Sequence, residues 1–128
     1  MSEDMGSFRV DIELENPASP GDRRTVRSVL VDTGAVLSWV PPEILTALAI
    51  QPHATWRFRQ ADGSILERPV GGAFVHVAGR RTVDDVVFGE PGDQVLLGSR
   101  TMEGLNFRVE RVSKRLVDAG PAPAAVAA

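Results

Sequence analysis

The chain has 128 residues, a net charge of −3 and no cysteine, with 43% hydrophobic and 24% charged residues. A chain of this size forms one domain with a real core. The missing cysteines exclude disulfides, thiolate zinc sites and a cysteine nucleophile. Two histidines, His53 and His76, are too few for a histidine-rich metal centre, and the mild acidity with interspersed charges does not fit a nucleic-acid-binding face.

Taken in order, the chain reads as short strands separated by turn formers, hence all-β. The start, MSEDMGSFRV, carries neither a basic nor an apolar leader region, so no signal peptide is expected. No apolar run reaches the ~20 residues of a membrane span. A cytoplasmic protein, with no membrane or nucleic-acid partner, is the expectation. Phe8, Val10, Ile12 and Leu14 alternate with polar residues and predict a half-buried strand. Asn16 to Asp22 is a turn cluster, and Thr25 to Val31 returns as a second strand. The arginines Arg23, Arg24 and Arg27 read as a solvated loop.

After Asp32-Thr33-Gly34-Ala35, Val36 to Val40 predicts a third strand. Pro41-Pro42-Glu43 then starts a short helix through Ala49, closed by Pro52. Trp56, Phe58 and Gln60 lead into Asp62-Gly63, a strong hairpin signal, and Ser64 to Val70 returns. Gly71-Gly72 predicts a bend, followed by a second hairpin of Ala73 to Val77 and Arg81 to Phe88 around Ala78-Gly79-Arg80. Gln94 to Leu97 is a short apolar strand. Ser99 to Glu103 reads as a brief helix capped by Ser99 or Thr101, and the alternating Leu105, Phe107 and Val109 as a final strand before Val112 to Val117. The domain is expected over 1–117, with an Ala/Pro-rich, disordered tail over 118–128.

One segment carries chemistry. In Leu30-Val31-Asp32-Thr33-Gly34-Ala35 an acid directly follows an apolar strand and precedes a Thr-Gly pair. A carboxylate there needs hydrogen bonds to offset its desolvation. Thr33 and Ser38 offer hydroxyls, and glycine lets backbone N–H groups approach. The bland alternative is a turn aspartate at a strand end. Asp62, Asp84-Asp85, Asp93 and Asp118 lack this context. A metal site at Asp84-Asp85 is rejected because adjacent strand residues face opposite ways. Trp39 and Trp56 read as packing residues more than ligand platforms, and His53 and His76 as ordinary surface or strand residues.

The apolar-apolar-Asp-Thr-Gly-Ala segment resembles the catalytic loop of clan AA aspartic proteases of the retropepsin type. Two further features extend the resemblance over Phe8 to Val117: the Asp62-Gly63 hairpin, placed where the family keeps its flap, and Leu96-Leu97-Gly98 followed by a short helix. The pattern looks closest to the small bacterial and archaeal members. It departs from the viral enzymes at the flap tip, where Gln60-Ala61-Asp62-Gly63-Ser64 replaces a glycine-rich sequence. The resemblance implies a closed acid-protease barrel with one or two short helices and an aspartic endopeptidase needing no cofactor or metal. The chain has one such motif, so a homodimer would supply the second catalytic aspartate. Asp32, Thr33 and Gly34 would form the catalytic loop, with Thr33 bonding across the two-fold axis. Ala35, Ala61, Asp62, Gly63 and Ser64 would contact a peptide or protein substrate. The alternative is a catalytically silent module of the same fold that binds peptides or dimerises.

Overall fold

The computed structural model describes residues 8–125. The chain is mostly β-sheet with two short helices, as expected. In order it forms β1 (Arg9–Glu15), β2 (Arg23–Val31), β3 (Ser38–Val40), α1 (Pro42–Ala47), β4 (Ala54–Arg59), β5 (Ile65–Val77), β6 (Arg80–Phe88), β7 (Leu96–Leu97), α2 (Ser99–Gly104), β8 (Phe107–Glu110) and β9 (Arg115–Asp118). Seven strands make one sheet in the order β1-β2-β7-β3-β6-β5-β4, and β1 pairs additionally with β5. Strands β8 and β9 form a separate hairpin. Among the described residues no helix is long and apolar enough to cross a membrane.

The core follows from the alternating apolar residues, with one local irregularity that positions what comes next. Ile12 and Leu14 of β1 and Val26, Val29 and Val31 of β2 are buried. A strict period of two from Val26 would turn Val29 and Val31 outward. A β-bulge prevents this. Val10 pairs with Val29 but Ile12 pairs with Val26, so Arg27 and Ser28 together oppose Asp11. Ser28 takes a positive φ of 57°, and its N–H donates to Asp11 Oδ1 at 2.9 Å. The extra residue returns Val29 and Val31 to the core and so fixes the exit direction of the chain at Asp32. Arg23, Arg24 and Arg27, expected in a loop, are exposed strand residues paired to Glu13, Asp22 and Asp11.

Other boundaries differ for local reasons. Gly71-Gly72 does not interrupt the sheet. Strand β5 runs straight through it, pairing with β4 over its first half and with β6 over its second. Gly71 serves packing there, because a Cβ would lie 2.9 Å from the Gln51 carbonyl oxygen. Helix α1 ends at Ala47, short of the expected Ala49, which takes φ +59° just past the cap while the Ile50 N–H donates to the Leu45 carbonyl. Helix α2 has no side-chain cap, and Thr101 is buried inside it. The boundary expected at Val117 falls inside β9. Asp118 pairs with Phe107 and bonds Arg80 at 2.6 Å, and the Asn106 side chain holds the Gly120 carbonyl. Residues 121–125 have no regular structure, and 126–128 of the expected tail lie outside the described residues.

Candidate active site

Asp32 leaves the end of β2 into a tight turn held by hydrogen bonds. Its own N–H donates to the Leu97 carbonyl at 3.0 Å, and the Ala35 N–H donates to the Asp32 carbonyl at 3.3 Å. The Gly34 N–H donates to Asp32 Oδ1 at 2.9 Å. The carboxylate therefore accepts from the backbone two residues on and is held in one orientation. A Cβ on Gly34 would lie 3.3 Å from that same oxygen, so glycine suits the close approach.

The turn is clamped from below. Parallel pairing of Leu30 with Leu96 and of Val31 with Leu97 brings the apolar Leu96-Leu97-Gly98 segment alongside β2. The Ser99 N–H donates to the Ala35 carbonyl at 2.8 Å, and the Arg100 N–H donates to the Val36 carbonyl at 3.1 Å. Gly98 packs flat against this turn. A Cβ there would sit 2.5 Å from the Leu37 carbonyl oxygen. The half-buried Asp32 is thus seated by bonds from both its own turn and the start of α2.

Above it lies a cleft of about 760 Å³ lined by Asp32, Gly34 and Ala35 on one side and by β4 through Ala61 on the other. Trp39, Trp56 and Phe58 form its aromatic wall. Trp39 and Phe58 rings lie 4.9 Å apart, and Trp56 and Phe58 are stacked at 6.1 Å. Both tryptophans pack against the buried Leu37, Val70 and Val87, as the sequence suggested, and they also face the cleft. Among the described residues Asp32 is the sole carboxylate lining it. In comparisons with known proteins, no family model and no curated sequence matched the chain.

Of the residues singled out in the sequence, Asp32, Gly34, Ala35 and Ala61 meet around this cleft. Thr33 is exposed beside it. Asp62, Gly63 and Ser64 form the exposed hairpin tip and do not line the cleft in the single chain. There Asp62 Oδ1 accepts both the N–H and the hydroxyl of Ser64, at 2.9 and 2.6 Å. The hydroxyl and then the amide hold the Asp62 carboxyl below its ordinary value.

Two expectations are corrected here. Ser38 does not support Asp32; its hydroxyl accepts the Gly98 N–H at 2.9 Å and lies 2.7 Å from the Thr101 hydroxyl. His76 is not an ordinary strand residue, since its largely buried ring bonds Glu15 at 2.6 Å. The buried set Ser38, Thr101 and Asp84 was not found from sequence. Its members come from β3, α2 and β6, and only the tertiary fold brings them together. No group of acids and histidines able to hold a metal occurs among the described residues.

Proposed function

We propose that this chain is an aspartic endopeptidase of the retropepsin type, working as a homodimer in which each subunit contributes Asp32. The observation that carries the reading is the seat of Asp32: a turn carboxylate oriented by the Gly34 amide, clamped by the Leu96–Gly98 segment, at the floor of a cleft beneath the β4–β5 hairpin. The return of β1 to β5 supports the closed barrel that this family builds.

Two such carboxylates roughly 3 Å apart across a two-fold axis share one proton and titrate as a unit. The ionised member draws a proton from a water held between them. The protonated member donates to the scissile carbonyl oxygen, so the water adds without a covalent enzyme intermediate. The Gly34 N–H keeps Oδ1 directed during this exchange, and the exposed Thr33 would bond its mate across the axis. The aromatic wall gives the apolar side chains of an extended peptide a surface to cover.

The second reading, a silent peptide-binding or dimerisation module, is favoured by one observation: among the described residues a single chain presents one carboxylate to the cleft. Sedimentation over a concentration series, beside peptide cleavage from about pH 4 to 7, separates the two. A dimer whose formation tracks cleavage, with cleavage lost in Asp32→Asn, supports the peptidase. Cleavage that survives in Asp32→Asn removes the catalytic assignment. A chain that binds peptides but leaves them intact in both forms is the silent module.

A further inference from the structure

We infer that Asp84 and Thr101 are positioning residues for Asp32, acting through Ser38 and the Gly98 amide on the backbone that carries the Asp32 turn; the inference rests on the catalytic reading of Asp32 given above. Ser38 and Thr101 are fully buried, and the Asp84 side chain is 6% exposed. A carboxylate held in a β-sheet interior costs free energy that a valine or leucine would not. Here it terminates a chain of hydrogen bonds that leads to the proposed active site.

With Asp84 ionised, the direction of that chain follows from counting protons. Asp84 Oδ2 accepts from the Thr101 hydroxyl at 3.0 Å, and Oδ1 accepts from the Asp85 N–H at 2.8 Å, with Arg100 Nε at 3.3 Å. A hydroxyl has one proton. With its proton on Asp84, Thr101 turns a lone pair toward Ser38. The Ser38 proton then goes to Thr101, and one of the two Ser38 lone pairs accepts the Gly98 N–H. The bonds run without a break from the acid at one end to the Gly98 amide at the other, so loss of one member disturbs its neighbours. Gly98 follows Leu97, whose carbonyl holds the Asp32 N–H, and precedes Ser99 and Arg100, whose amides hold Ala35 and Val36. Around the acid stand Arg100, Asp85 and the His53 bonded to Asp85, while the Arg100 guanidinium also lies 6.0 Å from the Trp56 ring on the cleft wall.

Thr101→Val keeps the shape and removes the hydroxyl, whereas Thr101→Ser keeps the hydroxyl. In the full chain, amide hydrogen exchange at Gly34 and Ser99 and steady-state peptide cleavage are read side by side. The expected result for Thr101→Val is exchange about tenfold faster at these two amides while Thr25 in the β1–β2 pairing keeps its rate. With it, kcat falls about 10- to 100-fold at little-changed KM, as for a displaced reacting group. Thr101→Ser returns both readouts to near the parent. Unchanged Gly34 and Ser99 exchange with unchanged kcat in a folded Thr101→Val overturns the inference, and so does a uniform rise that includes Thr25, which is a stability effect alone. Should Thr101→Val not fold, Ser38→Ala is read for the same pattern. Should the parent chain cleave nothing, the peptidase reading fails separately, and the exchange pattern alone decides whether this network orders the Asp32 turn.

Discussion

Asp32 and Asp62 make the same local bond. Each carboxylate accepts the N–H of the residue two positions on, at 2.9 Å in both cases. Their surroundings separate them. The Asp62 turn closes on itself: Gln60 and Ser64 pair through the backbone, the Gly63 N–H donates to the Gln60 carbonyl, and the Ser64 hydroxyl bonds Asp62 and Gln60. The Asp32 turn has only part of its support in its own sequence. The rest arrives from Leu97, Ser99 and Arg100, distant in the chain and brought close by the parallel β2–β7 pairing. An Asx-type turn is therefore common to both, and the clamp beneath Asp32 is what makes it a candidate site.

The sharpest way to break this contrast is at the two glycines. Gly98→Ala would drive a Cβ to 2.5 Å from the Leu37 carbonyl oxygen, a backbone atom that no rotamer change can move. We expect a loss of about 3 kcal/mol or more. That is a large part of the ~5–15 kcal/mol that holds a small domain together. Urea unfolding followed by tryptophan fluorescence measures it, and a loss below about 1 kcal/mol would mean that the turn rides loosely on the Leu96–Gly98 segment.

The same contrast explains what the sequence could and could not disclose. Alternation in Ile12-Leu14 and in the β4–β5 hairpin, and the turn formers at Asn16–Asp22 and Asp62-Gly63, are local signals, and the strands appear where they predict. The Asp32-Thr33-Gly34 turn was legible for the same reason. The bulge at Ser28 was not, because it depends on which residue of β1 opposes it. Gly71-Gly72 read as a bend because local sequence does not show Gln51 and Phe88 closing over it. Ser38, Thr101 and Asp84 were invisible for a related reason: each is an ordinary polar residue of its own segment, and their shared burial arises only when β3, α2 and β6 assemble.

A second comparison sets the base of the hairpin against its tip. At the base, Arg68 of β5 is nearly buried and bonds both oxygens of Asp93, at 2.8 and 3.1 Å, pinning the loop that carries Gln94 to the cleft. The Arg68 guanidinium is the main cause holding the Asp93 carboxyl below its ordinary value. A depressed carboxylate stabilises the fold fully above the unfolded-state aspartate pKa of about 3.9, and this contribution fades as pH falls toward and through the lowered folded value. Arg68→Met should cost about 2–3 kcal/mol at pH 7, because it leaves Asp93 without its cation. The gap between parent and variant should narrow on acidification below pH ~4. Urea midpoints at pH 7 and pH 3 test this, and a gap independent of pH would show that the loss does not come from the Asp93 charge.

The smallest effects belong to the tip. Gly63 has φ +88° with open space where a Cβ would go, so Gly63→Ala meets backbone strain and no clash. The expected loss is about 1–2 kcal/mol, well short of Gly98→Ala although both change one hydrogen to a methyl. Three residues lie between Gln60 and Ser64, the last of them the left-handed Gly63 that closes the turn, and its strain can relax into solvent. If the hairpin reaches over a bound peptide, the same substitution should raise KM for cleavage while leaving kcat nearly unchanged, since the tip stands away from Asp32. A fall in kcat at constant KM would instead tie the tip to the chemistry, and the two turns would then differ in support but not in role.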